Sequence, residues 1–68
     1  MINNTPLALL KSDTAMAVKC QKAMNSALDR SDYDRYNREA EVMDLAICQD
    51  SFNWEEFKRL CQAYGVDF

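Results

Sequence analysis

Apolar residues recur at steps of three and four positions through most of this 68-residue chain, and no long segment alternates apolar and polar residues. The first spacing places apolar side chains on one side of an α-helix, whereas strict alternation would indicate a β-strand. The single glycine and the single proline stand near the ends of these periodic segments. The pattern predicts one all-α domain over residues 1–68, a small three-helix bundle with a short extra N-terminal helical turn.

The N-terminal part is predicted to hold this short turn and then a long helix. Thr5 and Pro6 suit the N-cap and first position of a turn over residues 6–10. Ser12 and Asp13 are both good N-caps that would split this region, and we favour a longer helix from about 13 to 29 after the turn. The apolar stripe of that helix comprises Met16, Ala17, Cys20, Ala23, Met24, Ala27 and Leu28. Its many alanines would let another helix approach closely.

The second predicted helix begins at Ser31, which we assign as its N-cap, with Asp34 at the third helical position. One side of this helix carries Tyr33, Tyr36, Ala40, Met43 and Ile47. Val42 and Leu45 lie well off that side, so the segment VMDLAIC is apolar almost all the way round. Such a segment is either central to a core or part of an interface.

The third predicted helix has the clearest capping signals. Asn53 is its N-cap, and Glu56 completes a capping-box pattern. Phe52 and Phe57 are placed to form a hydrophobic staple across the start of the helix. Gly65 follows the helix at the position where a Schellman motif turns the chain back on the last helical turn.

The apolar positions of these helices define an expected core. It comprises Leu10, Ala17, Cys20, Met24, Leu28, Tyr36, Ala40, Met43, Ile47, Trp54, Phe57, Leu60, Cys61 and Tyr64. The terminal Phe68 is expected to pack against it. A chain this short buries only about 60% of its unfolded surface. A possible homodimer is therefore one way in which the fold would gain stability.

Composition and cysteine content narrow the class of protein. The hydrophobic fraction of 49% and the charged fraction of 28% match a folded protein. No apolar run approaches the roughly 20 residues that span a bilayer, and the first residues lack the pattern of a secretory signal. The odd number of cysteines, Cys20, Cys48 and Cys61, indicates reduced and mostly buried thiols. We therefore expect a cytoplasmic protein.

No set of residues suggests catalysis, a metal or a cofactor. The chain has no histidine, so a cysteine–histidine pair cannot form, and its single glycine excludes a glycine-rich phosphate loop. Paired carboxylates do occur, Glu39 or Glu41 with Asp44, and Glu55 with Glu56. We expect them to be solvated helix residues rather than acid–base pairs. The sequence predicts that the chain is not an enzyme.

Charge is distributed unevenly along the chain. Residues 1–30 carry four basic and two acidic side chains, and residues 31–68 carry four basic and nine acidic ones. We hypothesise a non-catalytic regulator or inhibitor that binds a protein, competing for a basic surface that otherwise holds nucleic acid. The predicted partner-binding residues are Asp32, Asp34, Glu39, Glu41, Val42, Asp44, Leu45, Glu55 and Glu56.

Two alternatives stay open at this point. The solvated side of the first helix, with Lys19 and Lys22, would suit a small DNA-binding transcriptional regulator. Against it, Glu55 and Glu56 stand where the third helix would meet phosphates. A homo-oligomerisation module with no other partner would instead cover the apolar second helix with a second copy of the chain.

Overall fold

A computed structural model describes residues 6–68, and helices are the only regular secondary structure in that range. A short 3-10 helix, Leu7–Leu9, precedes α1 (Asp13–Asp29), α2 (Tyr33–Ile47) and α3 (Trp54–Ala63). The prediction of an all-α protein with three helices and an extra N-terminal turn is confirmed. The predictions about Thr5 and a signal segment fall wholly or partly on residues 1–5, which lie outside the described residues.

Helix α1 is the central element of the fold. Both α2 and α3 pack against α1, but within residues 6–68 no Cα atom of α2 comes within 8 Å of one in α3. The buried residues of α1 are Thr14, Ala15, Ala17, Val18, Cys20, Met24 and Ala27. The single stripe predicted from the sequence contains four of these seven residues. It omits Thr14, Ala15 and Val18, because a helix with two neighbours buries a wider band than a helix with one.

The core joins all the helices and the C-terminal segment. It is formed by Leu7, Ala17, Val18, Ala46, Phe57, Cys61 and Val66. The predicted core residues that are buried are Ala17, Cys20, Met24, Phe57 and Cys61. Those that are half-buried are Leu10, Tyr36, Ala40, Met43, Ile47, Leu60 and Tyr64.

The prediction that Leu28 and Trp54 belong to the core is wrong, and the prediction that Phe68 packs against the core is only partly right. Leu28 and Trp54 are 49% and 53% exposed. Leu28 lies in the last turn of α1 and Trp54 is the first residue of α3, so both stand at helix ends, where a neighbouring helix gives little cover. The Phe68 ring contacts the ring of Phe57, yet Phe68 is 64% exposed.

The predicted N-caps of α1 and α3 are confirmed. The Ala15 N–H donates to Ser12 Oγ at 3.0 Å, and the Glu56 N–H donates to Asn53 Oδ1 at 3.0 Å. The capping box of α3 is only half formed, because the Asn53 N–H donates to Oγ1 of the buried Thr14 at 3.1 Å. This bond ties the start of α3 to the start of α1.

The end of α3 also follows the prediction. The Val66 N–H donates to the Cys61 carbonyl oxygen at 2.8 Å, and the Gly65 N–H donates to that of Gln62 at 3.4 Å. Gly65 has a φ of 66°, in the left-handed region that only glycine adopts without strain. This Schellman motif turns the chain so that Val66 is buried against the core.

Helix α1 ends in the same motif, with a serine in the left-handed position. The Asp32 N–H donates to the Ala27 carbonyl oxygen at 2.8 Å, and the Ser31 N–H donates to that of Leu28 at 3.0 Å. Ser31 has a φ of 56°. The assignment of Ser31 as the N-cap of α2 is therefore wrong. That N-cap is Asp32, whose side chain accepts from the Arg35 N–H at 3.2 Å.

Replacing Ser31 by glycine is expected to stabilise the fold. A left-handed conformation costs a residue with a Cβ about 1–2 kcal/mol, and glycine loses part of this gain through its greater freedom when unfolded. We expect Ser31→Gly to raise the free energy of unfolding by about 0.5–1 kcal/mol in a urea titration. Ser31→Ala keeps the strained Cβ and should change little. A less stable glycine variant would contradict this account of the turn.

Candidate protein-binding surface

The second half of α2 is covered on one side only. Ala46 is buried, and Met43 and Ile47 are half-buried, so the segment VMDLAIC contributes one side to the core. Val42 and Leu45 are 43% and 66% exposed. The apolar character of this segment around the whole helix is therefore not explained by the chain's own packing.

We define the outer patch as the exposed residues Glu41, Val42, Asp44, Leu45 and Cys48. At about 100° per residue, Leu45 stands nearly opposite the buried side of α2, with Glu41 one turn before it. Val42 and Asp44 form the two edges. Residues 39–50 include no lysine or arginine. The outer patch thus combines an apolar centre with an acidic border.

The other predicted partner-binding residues lie apart from the outer patch. Asp32 and Asp34 are exposed at the start of α2, roughly 17–20 Å from Leu45 at the helical rise per residue. Glu55 is exposed on α3, and Glu56 forms an ion pair within that helix. Because no Cα atom of α3 lies within 8 Å of one in α2, Glu55 and Glu56 do not extend the outer patch.

Glu39 is the predicted site residue that faces inward. It is half-buried and lies beside the Cys20 thiol of α1. The pKa of the Cys20 thiol is raised from 9.0 to about 11, and burial of the thiol is the largest cause. The second cause is the neighbouring Glu39 carboxylate, to which the thiol is hydrogen-bonded. The resulting stabilisation is present below pH 9.0 and is lost as the pH rises through about 11. Glu39 therefore belongs to the contact between α1 and α2.

The three free thiols should differ sharply in reactivity. Cys20 and Cys61 are buried, and burial also raises the pKa of Cys61, whereas Cys48 is exposed. At neutral pH we expect iodoacetamide to label Cys48 in the folded protein and the other two only as fast as the protein opens. Mass spectrometry of time points checks this order. If iodoacetamide labelled the folded Cys48→Ser variant, this would show that a buried thiol is accessible.

A second exposed apolar surface is formed by Trp54 at the start of α3 and by Phe68. Phe57 is the buried centre of a ring cluster, with ring centroids 5.6 Å from those of Trp54 and Phe68 and 5.9 Å from that of Phe52. Trp54 and Phe68 are 53% and 64% exposed, so both rings present surface to solvent beside the buried Phe57. Periodicity placed Trp54 on the apolar side of α3 but carries no signal for what covers that side.

Lys19 differs from the solvated lysine expected from the sequence. It is half-buried, and its ammonium group donates to the carbonyl oxygen of Ala8 at 3.2 Å and to that of Leu10. These carbonyls lie in and just after the 3-10 helix. The Lys19 charge therefore holds that helix against α1, while the neighbouring Lys22 is exposed.

None of the helices in residues 6–68 is both long and apolar enough to cross a membrane. Over the same range, no three cysteine, aspartate or glutamate side chains come together in a group that could hold a metal ion.

Comparison with known proteins identified no protein similar to this chain. No protein-family model matches the sequence, and no significant match was found among curated proteins or solved structures.

Proposed function

We propose that the chain is a non-catalytic regulator or inhibitor that binds a protein partner through the outer patch of α2. The observation that supports this most is Leu45, a leucine 66% exposed on a helix whose other side is packed in the core. Fully burying such a side chain contributes about 1.5–3 kcal/mol. With Val42 one turn away, a partner that covers the outer patch would gain from both residues.

The charges around Leu45 define the kind of partner. Glu41 and Asp44 border Leu45, and residues 39–50 contain no lysine or arginine. The complementary surface is an apolar pocket with a basic rim. Because basic protein surfaces commonly hold nucleic acid, we propose that the chain competes with nucleic acid for this pocket. Since α2 is already ordered against α1, little conformational entropy is lost on binding.

The first test is whether a second copy of the chain covers the outer patch. Sedimentation equilibrium over a dilution series gives the solution mass. A monomer throughout leaves the outer patch available to another protein. A dimer that Leu45→Asp converts to a monomer would show that the chain covers its own outer patch, and this would contradict the proposal.

The substitution Leu45→Asp is expected to weaken binding of the partner. Tagged wild-type chain is used to capture proteins from a nuclease-treated lysate, and the captured protein is identified and purified. Titration with that protein should show that Leu45→Asp weakens binding by at least roughly tenfold, because a charge replaces the apolar centre of the contact. The fold should be retained, since exposed substitutions usually change stability by about 0.5 kcal/mol or less.

A matched control separates the outer patch from exposed leucines in general. Leu9, on the 3-10 helix, is 63% exposed, and Leu9→Asp introduces the same charge elsewhere. This variant should bind as the wild type does. Nucleic acid added to the purified complex should displace the chain. Equal loss in both variants, or capture that requires nucleic acid, would overturn the proposal.

A further inference from the structure

An open groove of about 410 Å³ lies between the 3-10 helix, α1 and the start of α2. Leu7, Ala8 and Ala23 give it an apolar surface, and Lys19, Lys22 and Arg35 give it three basic side chains. We call it the basic groove. Its volume falls within the range of about 300–1,000 Å³ that is typical of sites for small molecules.

The charge of the basic groove is opposite to that of the whole chain. The chain has a formal net charge of −3, yet among residues 6–68 no acidic residue lines the groove. Lys22 and Arg35 form no ion pair within residues 6–68. Like charges that line one groove repel each other, and a bound anion would relieve this repulsion. The basic groove therefore favours a negatively charged ligand.

One of the three cations is already held in place. The Lys19 ammonium has three N–H groups, and it donates to the carbonyl oxygens of Ala8 and Leu10. With no further partner among residues 6–68, one N–H remains for a ligand, and orienting it costs little because the side chain is fixed. Ser26 also lines the basic groove and adds a hydroxyl donor.

We propose that the basic groove binds a small phosphate monoester, of about the size of a nucleoside monophosphate. A phosphate monoester carries about −1.5 to −2 charge, which matches several cations better than a single carboxylate does. Its oxygens suit the planar guanidinium of Arg35, with Lys22 and the free N–H of Lys19 beside it. The organic part lies over Leu7, Ala8 and Ala23. This site is separate from the outer patch and does not depend on the proposed protein contact.

Amide chemical shifts measured during titrations at constant ionic strength test the proposal. The probes are inorganic phosphate, adenosine monophosphate and a single-stranded oligonucleotide. We expect saturable shifts at Leu7, Ala8 and Ala23 and around Lys22 and Arg35, with tighter binding of the nucleotide than of inorganic phosphate. Shifts spread evenly over all basic residues, no saturation, or an oligonucleotide bound more tightly than the mononucleotide would overturn the proposal.

Charge-neutralising variants supply the second part of the test. Lys22→Gln is expected to weaken nucleotide binding by roughly tenfold, the effect of losing a hydrogen bond to a charged group, and Arg35→Gln should weaken it further. The matched control is Lys58→Gln with Arg59→Gln on α3, which removes two exposed cations outside the groove. Equal weakening in the control would indicate general charge attraction and overturn the proposal. Lys22→Arg keeps the charge and should bind normally, which guards against a folding defect.

Discussion

Truncation of Phe57 to alanine is expected to leave the chain largely unfolded. Phe57 is 2% exposed, it contacts three other aromatic rings, and it belongs to the core that holds α3 against α1. Removing a buried phenylalanine side chain costs about 3–5 kcal/mol, because apolar contact is lost and a cavity remains. The core of so small a domain rarely supplies more than about 3–5 kcal/mol in total. The variant should therefore lose most of its helical circular dichroism.

Trp54→Ala is the matched control for this prediction. Trp54 lies in the same ring cluster and is larger than Phe57, but it is 53% exposed and leaves no enclosed cavity. We expect a loss of about 1 kcal/mol, measured by urea unfolding. If Phe57→Ala kept a cooperative transition within about 1 kcal/mol of wild type, Phe57 would not be the anchor of α3.

Enlarging Ala17 is expected to give the second largest effect. Ala17 is completely buried on α1 and belongs to the same core cluster as Ala46 of α2. Because Ala17 is completely buried in this cluster, three additional carbons at this position have no free space. We expect Ala17→Leu to lower the free energy of unfolding by about 1–3 kcal/mol, as overpacked cores do.

The control for Ala17→Leu is the same exchange at an exposed site. Ala63 is exposed in the last turn of α3, and Ala63→Leu changes the intrinsic helix preference in the same way. Its unfolding midpoint in urea should stay close to that of wild type. If both exchanges cost the same, helix propensity rather than tight packing of α1 would explain the result.

The local parts of the fold could be predicted from the sequence because they depend on neighbouring residues. Ser12, Asn53 and Gly65 cap helices through bonds that span three to five positions, and all three assignments are confirmed. Ser31 was misassigned because Ser31 and Asp32 are both good N-caps. A serine in the left-handed position, where glycine is usual, gives no signal in the sequence.

The parts that depend on tertiary packing were predicted less well. Val18 and Thr14 were missed because a single stripe was expected on α1, whereas α1 contacts α2, α3 and the 3-10 helix. The exposure of Val42 and Leu45 follows from their angle to the buried side of α2 and was visible in the pattern. The same geometry places Glu39 near the buried side, four residues before Met43, and that signal was overlooked.

The sequence places Lys19 and Lys22 on one side of the first helix but does not predict the basic groove as a whole. It depends on bringing Leu7 and Arg35 to the same side of α1, and these residues are far apart in the chain. Periodicity describes one helix at a time, so it cannot give the side on which a third element lies. The link between Thr14 and Asn53 is of the same kind.

The central position of α1 also determines how the native structure can open. Separating α3 from the rest breaks its contacts with α1, and separating α2 breaks a largely different set, because no Cα atom of one outer helix lies within 8 Å of the other. Freeing α1 requires both losses at once. We therefore expect the backbone amides of α1 to be the best protected from exchange with solvent deuterium, and each outer helix to open through a partial unfolding of its own.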